Sequence, residues 1–427
     1  MPESPTTPSF TPSTPAHGRN AFVFILVMVG LDFLSFGIIA PVLPDLVRGF
    51  EGGDFALASA MLGYFGLAWA TMQFIFSPLL GAWSDRFGRR PIILISCFGI
   101  AADYVVMALA PSLRWLFLGR IISGITTSNV ATAFAYVTDV TPADKRAKPF
   151  GMISAAFGLG FVIGPALGGY LGTVSLRFPF WVAAGLSLAN ALYGFFVLPE
   201  SLPLDRRAKS AWHMANPLSS FSLLSSSTQL FGMSLVATLS YLAQNSLPSM
   251  WAIYTEYRYG WDHSQVGNSL AVVGVCAAIV SGGLVGPIVK RFGERYSLLA
   301  GLFFGTIGFF GFGFAWRGSI LLSAIPFIAL WGISNPAIQA LMSRHVDPTS
   351  QGKLQGAINT IRALTGMIGP VLFSQVFKVA ISNRLSIQIP GAPYIVAALL
   401  LLCGVLLASY VTRPAATPLA PSPVETN

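Results

Sequence analysis

Four charged residues fall where an apolar chain can least accommodate them. Asp32 lies in "MVGLDFLSFGIIAPVLP", Asp103 in "CFGIAADYVVMALAP", Arg120 in "FLGRIISGI" and Arg362 in "QGAINTIRALTG". A charge at the centre of a bilayer costs about 2.5–3.5 kcal/mol on insertion scales. Two arrangements offset that cost. Each aspartate could be neutralised by an arginine in a structural pair. Alternatively, a water-lined cavity could let a carboxylate bind and release a proton, with a nearby arginine biasing its ionisation. A substrate that displaces the proton would then couple two fluxes. Asp32, Asp103 and Arg120 are the candidate proton-coupling residues, with a proton gradient as the energy source.

Uncharged polar side chains add to such a cavity. Asn129, Gln244, Asn245, Asn335 and Gln339 fall within or near apolar runs and, with Arg362, are candidates for holding a polar substrate. The same amides could equally knit helices together, at about 0.6 kcal/mol each. Other chemistries lack their residues. Cys97, Cys276 and Cys403 sit singly in apolar runs, and His17, His213, His263 and His345 form no ligand pattern. "QGKLQG" has no Ser or Thr after its Gly-Lys, so it is no phosphate loop. No enzyme activity, metal or cofactor is expected.

These residues need elements to position them, and the composition dictates which. Of 427 residues 54% are hydrophobic and 10% charged, with mean hydropathy +0.68. Soluble domains carry about 25% charged residues, so the chain is expected to sit in a bilayer. A span needs about 20 apolar residues. Twelve candidates occur, at roughly 21–42, 56–80, 91–111, 115–136, 150–173, 178–198, 228–252, 266–289, 297–316, 319–342, 354–378 and 391–411.

The fold class is therefore all-α integral membrane, with twelve transmembrane helices. The predicted organisation is a disordered tail over 1–20, a six-helix bundle over 21–198, a cytoplasmic linker over 199–227, a second bundle over 228–411 and a tail over 412–427. The loops carry a consistent basic bias. With a cytoplasmic N-terminus, 16 of the 25 Lys and Arg residues face inward and 7 outward. Topology alone thus accounts for the net charge of +9, and no nucleic-acid partner is implied. Both termini should be cytoplasmic.

The two halves repeat. "LLGAWSDRFGRRPIIL" at 79–94 matches "LVGPIVKRFGERYSLL" at 284–299, and Gly151, Gly164 and Pro165 match Gly356, Gly369 and Pro370. Every match has an offset of 205, as expected for two pseudo-symmetric copies of one six-helix unit. In "GLGFVIGPALGGYLG", Gly160, Gly164, Gly168 and Gly172 recur every fourth residue and give one smooth helix face for close packing. Pro165 permits a bend there.

These motifs resemble the major facilitator superfamily, and within it the drug:proton antiporters. "GAWSDRFGRRP" is similar to the gating motif between helices 2 and 3, carried here by Gly81, Asp85, Arg86, Gly88, Arg89 and Arg90. "FLGRIISGI" is similar to the helix 4 motif. "GFVIGPALGG" is similar to the helix 5 antiporter motif, with Gly160, Gly164, Pro165, Gly168 and Gly169. The resemblance runs from about residue 21 to 411 and is strongest to bacterial tetracycline efflux proteins, through stretches such as "LDFLSFGIIAPVLP" and "PAIQALMSR".

It implies an exporter of a small amphipathic compound in the bacterial inner membrane, working by alternating access and expected to be a monomer. Asp32 and Asp103 match aspartates important for transport. Asp85 and Arg89 match a loop that holds the cytoplasmic ends of the halves together in the outward-open state. Three positions depart: Gly305 stands at a helix 9 aspartate, Ala277 at a helix 8 histidine, and Arg362 at a neutral helix 11 residue. The departures shift the expected coupling site to the first half. A metabolite exporter or importer of the same fold, or a membrane sensor, are the alternatives.

Overall fold

The computed structural model describes residues 15–127, 129–142, 145–208, 221–382 and 387–413; the side chains of 15–21, 129, 130, 147, 221 and 222 are outside the description. Residues 1–14, 209–220 and 414–427, which hold most of the expected tails and the middle of the linker, fall outside it as well.

The described chain is helical throughout. In the first half, α1 (Pro15–Ile39) begins inside the stretch read as a tail and leads into a short α2 (Leu43–Phe50). α3 (Phe55–Phe87), α4 (Arg89–Leu109), α5 (Leu113–Thr126), α6 (Asn129–Val140), α7 (Ala147–Val174) and α8 (Phe178–Val197) follow. After the short α9 (Phe221–Leu224), the second half comprises α10 (Thr228–Gln244), α11 (Ser246–Tyr259), α12 (His263–Ile279), α13 (Val285–Phe314), α14 (Gly318–Trp331), α15 (Ser334–Ser343), α16 (Gln351–Ala380) and α17 (Ala392–Val411).

Three crossings are broken in mid-course: α5–α6, α10–α11 at Asn245 and α14–α15. A fourth feature joins two crossings, because α13 runs through a sharp turn at Gly293. Counted as crossings, the described helices match the twelve read from hydropathy. The repeat is visible in the backbone: Gly88 (φ 107°) and Gly293 (φ 77°) both adopt a left-handed conformation that favours glycine, 205 residues apart.

Within the first half α1 packs on α7 and α8, and α4 on α5 and α8; within the second α13 packs on α14 and α17, and α10 on α17. The halves meet along two seams, α7 against α12 and α3 against α16. Glycines explain how closely these helices approach. A Cβ at Gly164 would lie 2.8 Å from the Gly37 Cα, and one at Gly168 would strike the Ile38 backbone. Gly160, Gly164 and Gly168 therefore seat α7 on α1 inside the first half. Gly169, one residue round the helix, meets the His263 backbone and the Gly267 Cα of α12. Thus the helix 5 motif is two faces, one holding its own bundle together and one forming the seam.

Both seams are tight at the same end. Gly63 and Gly66 of α3 meet Ser374 and Pro370 of α16, and Gly169 and Gly267 close α7 on α12. At the opposite end, which carries the basic turns, Gly81, Gly151, Gly282, Gly283, Gly286 and Gly352 have nothing within 4 Å of a built Cβ. Among the described residues, the Arg48–Glu256 and Asp45–His263 ion pairs, the Phe55–Tyr257 ring contact and these close glycine contacts between the halves lie away from the gating motif, toward the opposite end.

Candidate functional site

Arg120, on the second turn of α5, reaches back to α4 and donates from Nη2 to Asp103 Oδ2 at 2.9 Å. The same nitrogen lies 2.8 Å from Met107 Sδ, one turn beyond Asp103. Asp103 is fully buried and Arg120 is 7% exposed. Gly119 makes the approach possible, since a Cβ there would come within 2.6 Å of Asp103 Oδ1. A desolvated pair of this kind is maintained only while both partners are present. Tyr104, buried beside it, lies within electrostatic reach of Asp103, Arg120 and also Asp32.

Asp32 is half-buried on α1, where Asn190 of α8 donates to its Oδ1 at 3.2 Å and to the Met28 carbonyl at 3.3 Å. The two predicted acids thus stand in different settings: Asp103 in an ion pair, Asp32 under an amide. Asn190 was not singled out from sequence, and its only signal there is an amide inside an apolar run.

The other predicted residues disperse. Gln244 is exposed at the end of α10, and Asn245 breaks the helix after it, donating to the Tyr241 carbonyl at 2.7 Å while its Cβ seats Gly369 of α16. Asn335 and Gln339 are half-buried on one face of α15. The side chain of Asn129 lies outside the described residues. Arg362 is exposed on α16, with its guanidinium 4.7 Å from the Tyr241 ring centroid and Nη2 3.1 Å from the Tyr241 hydroxyl. It stands two turns before Gly369, on the same helix face, and forms no ion pair among the described residues. Its charge lies beside α10.

The gating turn is held by its own half. Glu200 accepts from the backbone N–H groups of Arg89 (2.8 Å) and Arg90 (3.2 Å), capping the start of α4. Arg89 Nε lies 3.0 Å from Asp139 Oδ2, and Arg89 Nη1 pairs with Asp85. Arg90 donates to the Phe195 carbonyl at 2.6 Å, Arg86 covers the Phe87 ring, and the Ala208 N–H donates to the Asp85 carbonyl at 2.9 Å. Every described partner belongs to the first half or to residues 199–208.

The repeat preserves this pair with its signs exchanged. Arg89 and Asp139 correspond, at offset 205, to Glu294 and Arg344, and those two pair at 2.6 Å. Around the departures, Gly305 is buried against Trp331 and Leu401, leaving no room for a carboxylate: a Cβ would already lie 2.7 Å from Leu401 Cδ1. Ala277 is exposed, one turn before a π-helical stretch at Val280–Leu284.

The end at which the seams close carries a cluster that sequence did not suggest. Arg48 of α2 bridges Asp45 Oδ1 and Glu256 Oε1, each at 2.7 Å, and His263 Nε2 of α12 contacts Asp45 Oδ2. Burial works against the charge on Asp45, but hydrogen bonds to His263 and Glu256 and the charge of Arg48 outweigh it, lowering its pKa to about 2. Burial, a hydrogen bond to Asp45 and its negative charge raise the Glu256 pKa to about 8, despite Arg48.

Comparison with known proteins agrees with this architecture. Residues 25–370 match the Major Facilitator Superfamily profile. The chain is 38% identical over 383 residues to the class C tetracycline resistance protein of Escherichia coli, covering 88% of this chain and 95% of that protein. It is 34% identical to the class B protein of the same organism, over 83% and 87% of the two chains. Among solved structures, the human organic anion transporter MFSD10 (TETRAN) superposes with a TM-score of 0.67 at 24% identity, over 93% of this chain and 100% of that one. A bacterial homologue of the human lysosomal transporter Spinster, inward-facing and occupied, superposes with a TM-score of 0.76 at 16% identity, over 93% and 97%.

Proposed function

The chain belongs to the Major Facilitator Superfamily, and from that premise we propose that it is a proton-coupled antiporter of the bacterial inner membrane, exporting a small amphipathic compound. Similarity to tetracycline resistance proteins along most of the chain is the observation that carries this reading. The helix 5 glycine motif and the two acids of the first half support it.

In this reading both termini are cytoplasmic, the gating turns face the cytoplasm and the cavity opens there. Substrate enters between the halves. A proton taken up at Asp32 or Asp103 returns inward as the substrate leaves, with Arg120 answering the charge of Asp103. One proton moved through 100 mV releases about 2.3 kcal/mol, enough to drive a modest gradient. The monomer is the transporting unit and no cofactor enters the cycle.

Arg362 favours a particular substrate class. A cation with no carboxylate partner among the described residues suits an anionic or zwitterionic compound, whose negative group would replace water on the guanidinium. Gln339 and Asn335 of α15, with Gln244 and Asn129, are the amides proposed to hold its polar edge.

The reading is tested by expressing the chain in a bacterium stripped of its own pumps. Resistance to at least one class of amphipathic compound is expected, and it should vanish with Asp103→Asn while the protein still reaches the membrane. In proteoliposomes, substrate addition should drive proton movement in the opposite direction. Substrate flux without proton flux would overturn the coupling. Arg362→Gln should weaken binding of anionic compounds at least tenfold and leave neutral ones unchanged; equal affinity for both would remove Arg362 from the substrate site.

A further inference from the structure

The closed end of the molecule is fastened by charge. Asp45 and Arg48 come from α2 in the first half, Glu256 from α11 and His263 from α12 in the second. Arg48 spans the seam, at 2.7 Å from both Asp45 and Glu256. Its guanidinium also lies 4.5 Å above the Phe55 ring of α3, which meets the Tyr257 ring edge-on at 5.2 Å. Of the neighbouring acids, Asp54 and Asp262 are engaged in capping α3 and α12, and Glu51 follows α2 outside the ion pairs. Thus Arg48 and His263 are the cationic groups that face the two carboxyls. A vestibule of about 490 Å³, lined by Asp45, Arg48, His263 and Ser175 among others, reaches the cluster at Asp45, with Glu256 behind Arg48.

Two carboxyl groups gathered on one guanidinium in a partly buried cluster cannot both ionise without repulsion. A single proton between them removes it. We propose that Asp45 and Glu256 form a second proton site, distinct from the acids of the first bundle, and that binding of one proton from the vestibule shuts this end of the transporter. The device goes beyond the identity of the cargo, because it acts on the gate whether or not substrate is present.

The direction of the effect follows from linkage. Glu256 has its pKa raised to about 8 in the closed cluster. Once the seam parts and water surrounds it, the carboxyl returns to the ordinary glutamate range of about 4.3. Between those values closure takes up a proton, so closure is favoured by acid and weakened as pH rises, by up to tenfold per unit, and levels off above the upper value. Asp45 acts oppositely, but its pKa of about 2 places its effect below the working range. A proton from an acidic exterior would therefore close the gate behind a departing substrate.

The test measures the gate directly. Spin labels at Arg114→Cys and Arg317→Cys, exposed positions at this end on opposite halves, report its opening in purified protein with the three natural cysteines replaced by alanine and no substrate. From pH 6 to pH 9 the open population should rise at least tenfold. Glu256→Gln, which keeps the shape and removes the titrating proton, should hold the gate closed at both pH values. Asp45→Asn, which removes the partner charge, should do the same. Glu51→Gln, nearby but outside the cluster, should behave as the unaltered protein. An unaltered protein with no pH response, or a Glu256→Gln variant that still opens at pH 9, would overturn the proposal. Either result would leave the exchange of substrate for proton to be judged on its own fluxes.

Discussion

Arg89 and Asp139 form an ion pair across 50 positions of the first half, and their counterparts Glu294 and Arg344 form the same pair with charges inverted. Both pairs tie the turn after the second crossing of a half to the end of its fourth. Inverting the signs in one copy leaves the tie intact only if both partners change. Arg89→Asp should therefore destabilise the first half, and adding Asp139→Arg should recover part of the loss. A double-mutant cycle on thermal unfolding should give a coupling of about 0.5–3 kcal/mol; additive losses would mean that the pair contributes nothing.

Asp103 and Arg120 should behave as a unit. Removing one partner of a buried pair strands the other, at about 3–5 kcal/mol. Arg120→Gln and Asp103→Asn should each lower the unfolding temperature of the purified protein markedly. The double variant should be more stable than the sum predicts, though transport stays absent. Unfolding temperatures that simply add would show that the two side chains do not depend on one another.

The glycines of α7 separate two kinds of packing. Gly168→Val would press on the Ile38 backbone inside the first half, and overpacking of this kind costs about 1–3 kcal/mol. Gly158→Val, on the same helix with nothing within 4 Å, should leave the melting temperature unchanged. Gly267→Val meets the Pro165 carbonyl across the seam, so it should part the halves at the end where the seams close rather than unfold either bundle. Increased labelling of a cysteine at Ser175, with an unaltered melt, is the expected result.

Gly305→Asp supplies the acid that the family resemblance implies at this position, but here it should fail. The position is buried among Trp331 and Leu401, and an unpaired carboxylate placed there costs several kcal/mol unless it takes a proton. Expression should fall sharply with no gain in transport. A well-folded, more active variant would show that the second half can still accept a coupling acid.

Much of this was legible because hydropathy, basic-loop bias and the 205-residue repeat are properties of the chain itself. The crossings follow from runs of apolar residues, and the gating turn from Gly88 and its neighbours. The Asp103–Arg120 pair was among the arrangements expected, since a buried charge demands a partner. The glycine motif was read as one face, whereas Gly169 belongs to a second, because which neighbours flank α7 is a matter of tertiary placement. Tyr241 gives no signal in sequence and Asn190 only that of an amide in an apolar run, since polar tips are common in such helices. The Asp45–Arg48–Glu256–His263 cluster gave none either: its two pairs lie more than 200 residues apart in sequence and just beyond the apolar runs, where charges are ordinary.

Glu200 and Ala208 pin the stretch after α8 to the gating turn. The chain folds back there, with Glu200 accepting from the N–H groups of Arg89 and Arg90 and the Ala208 N–H donating to the Asp85 carbonyl. A displacement of residues 199–208 would thus arrive first at the backbone of Asp85, Arg89 and Arg90. The segment that leaves the first bundle is also the handle on its basic turn.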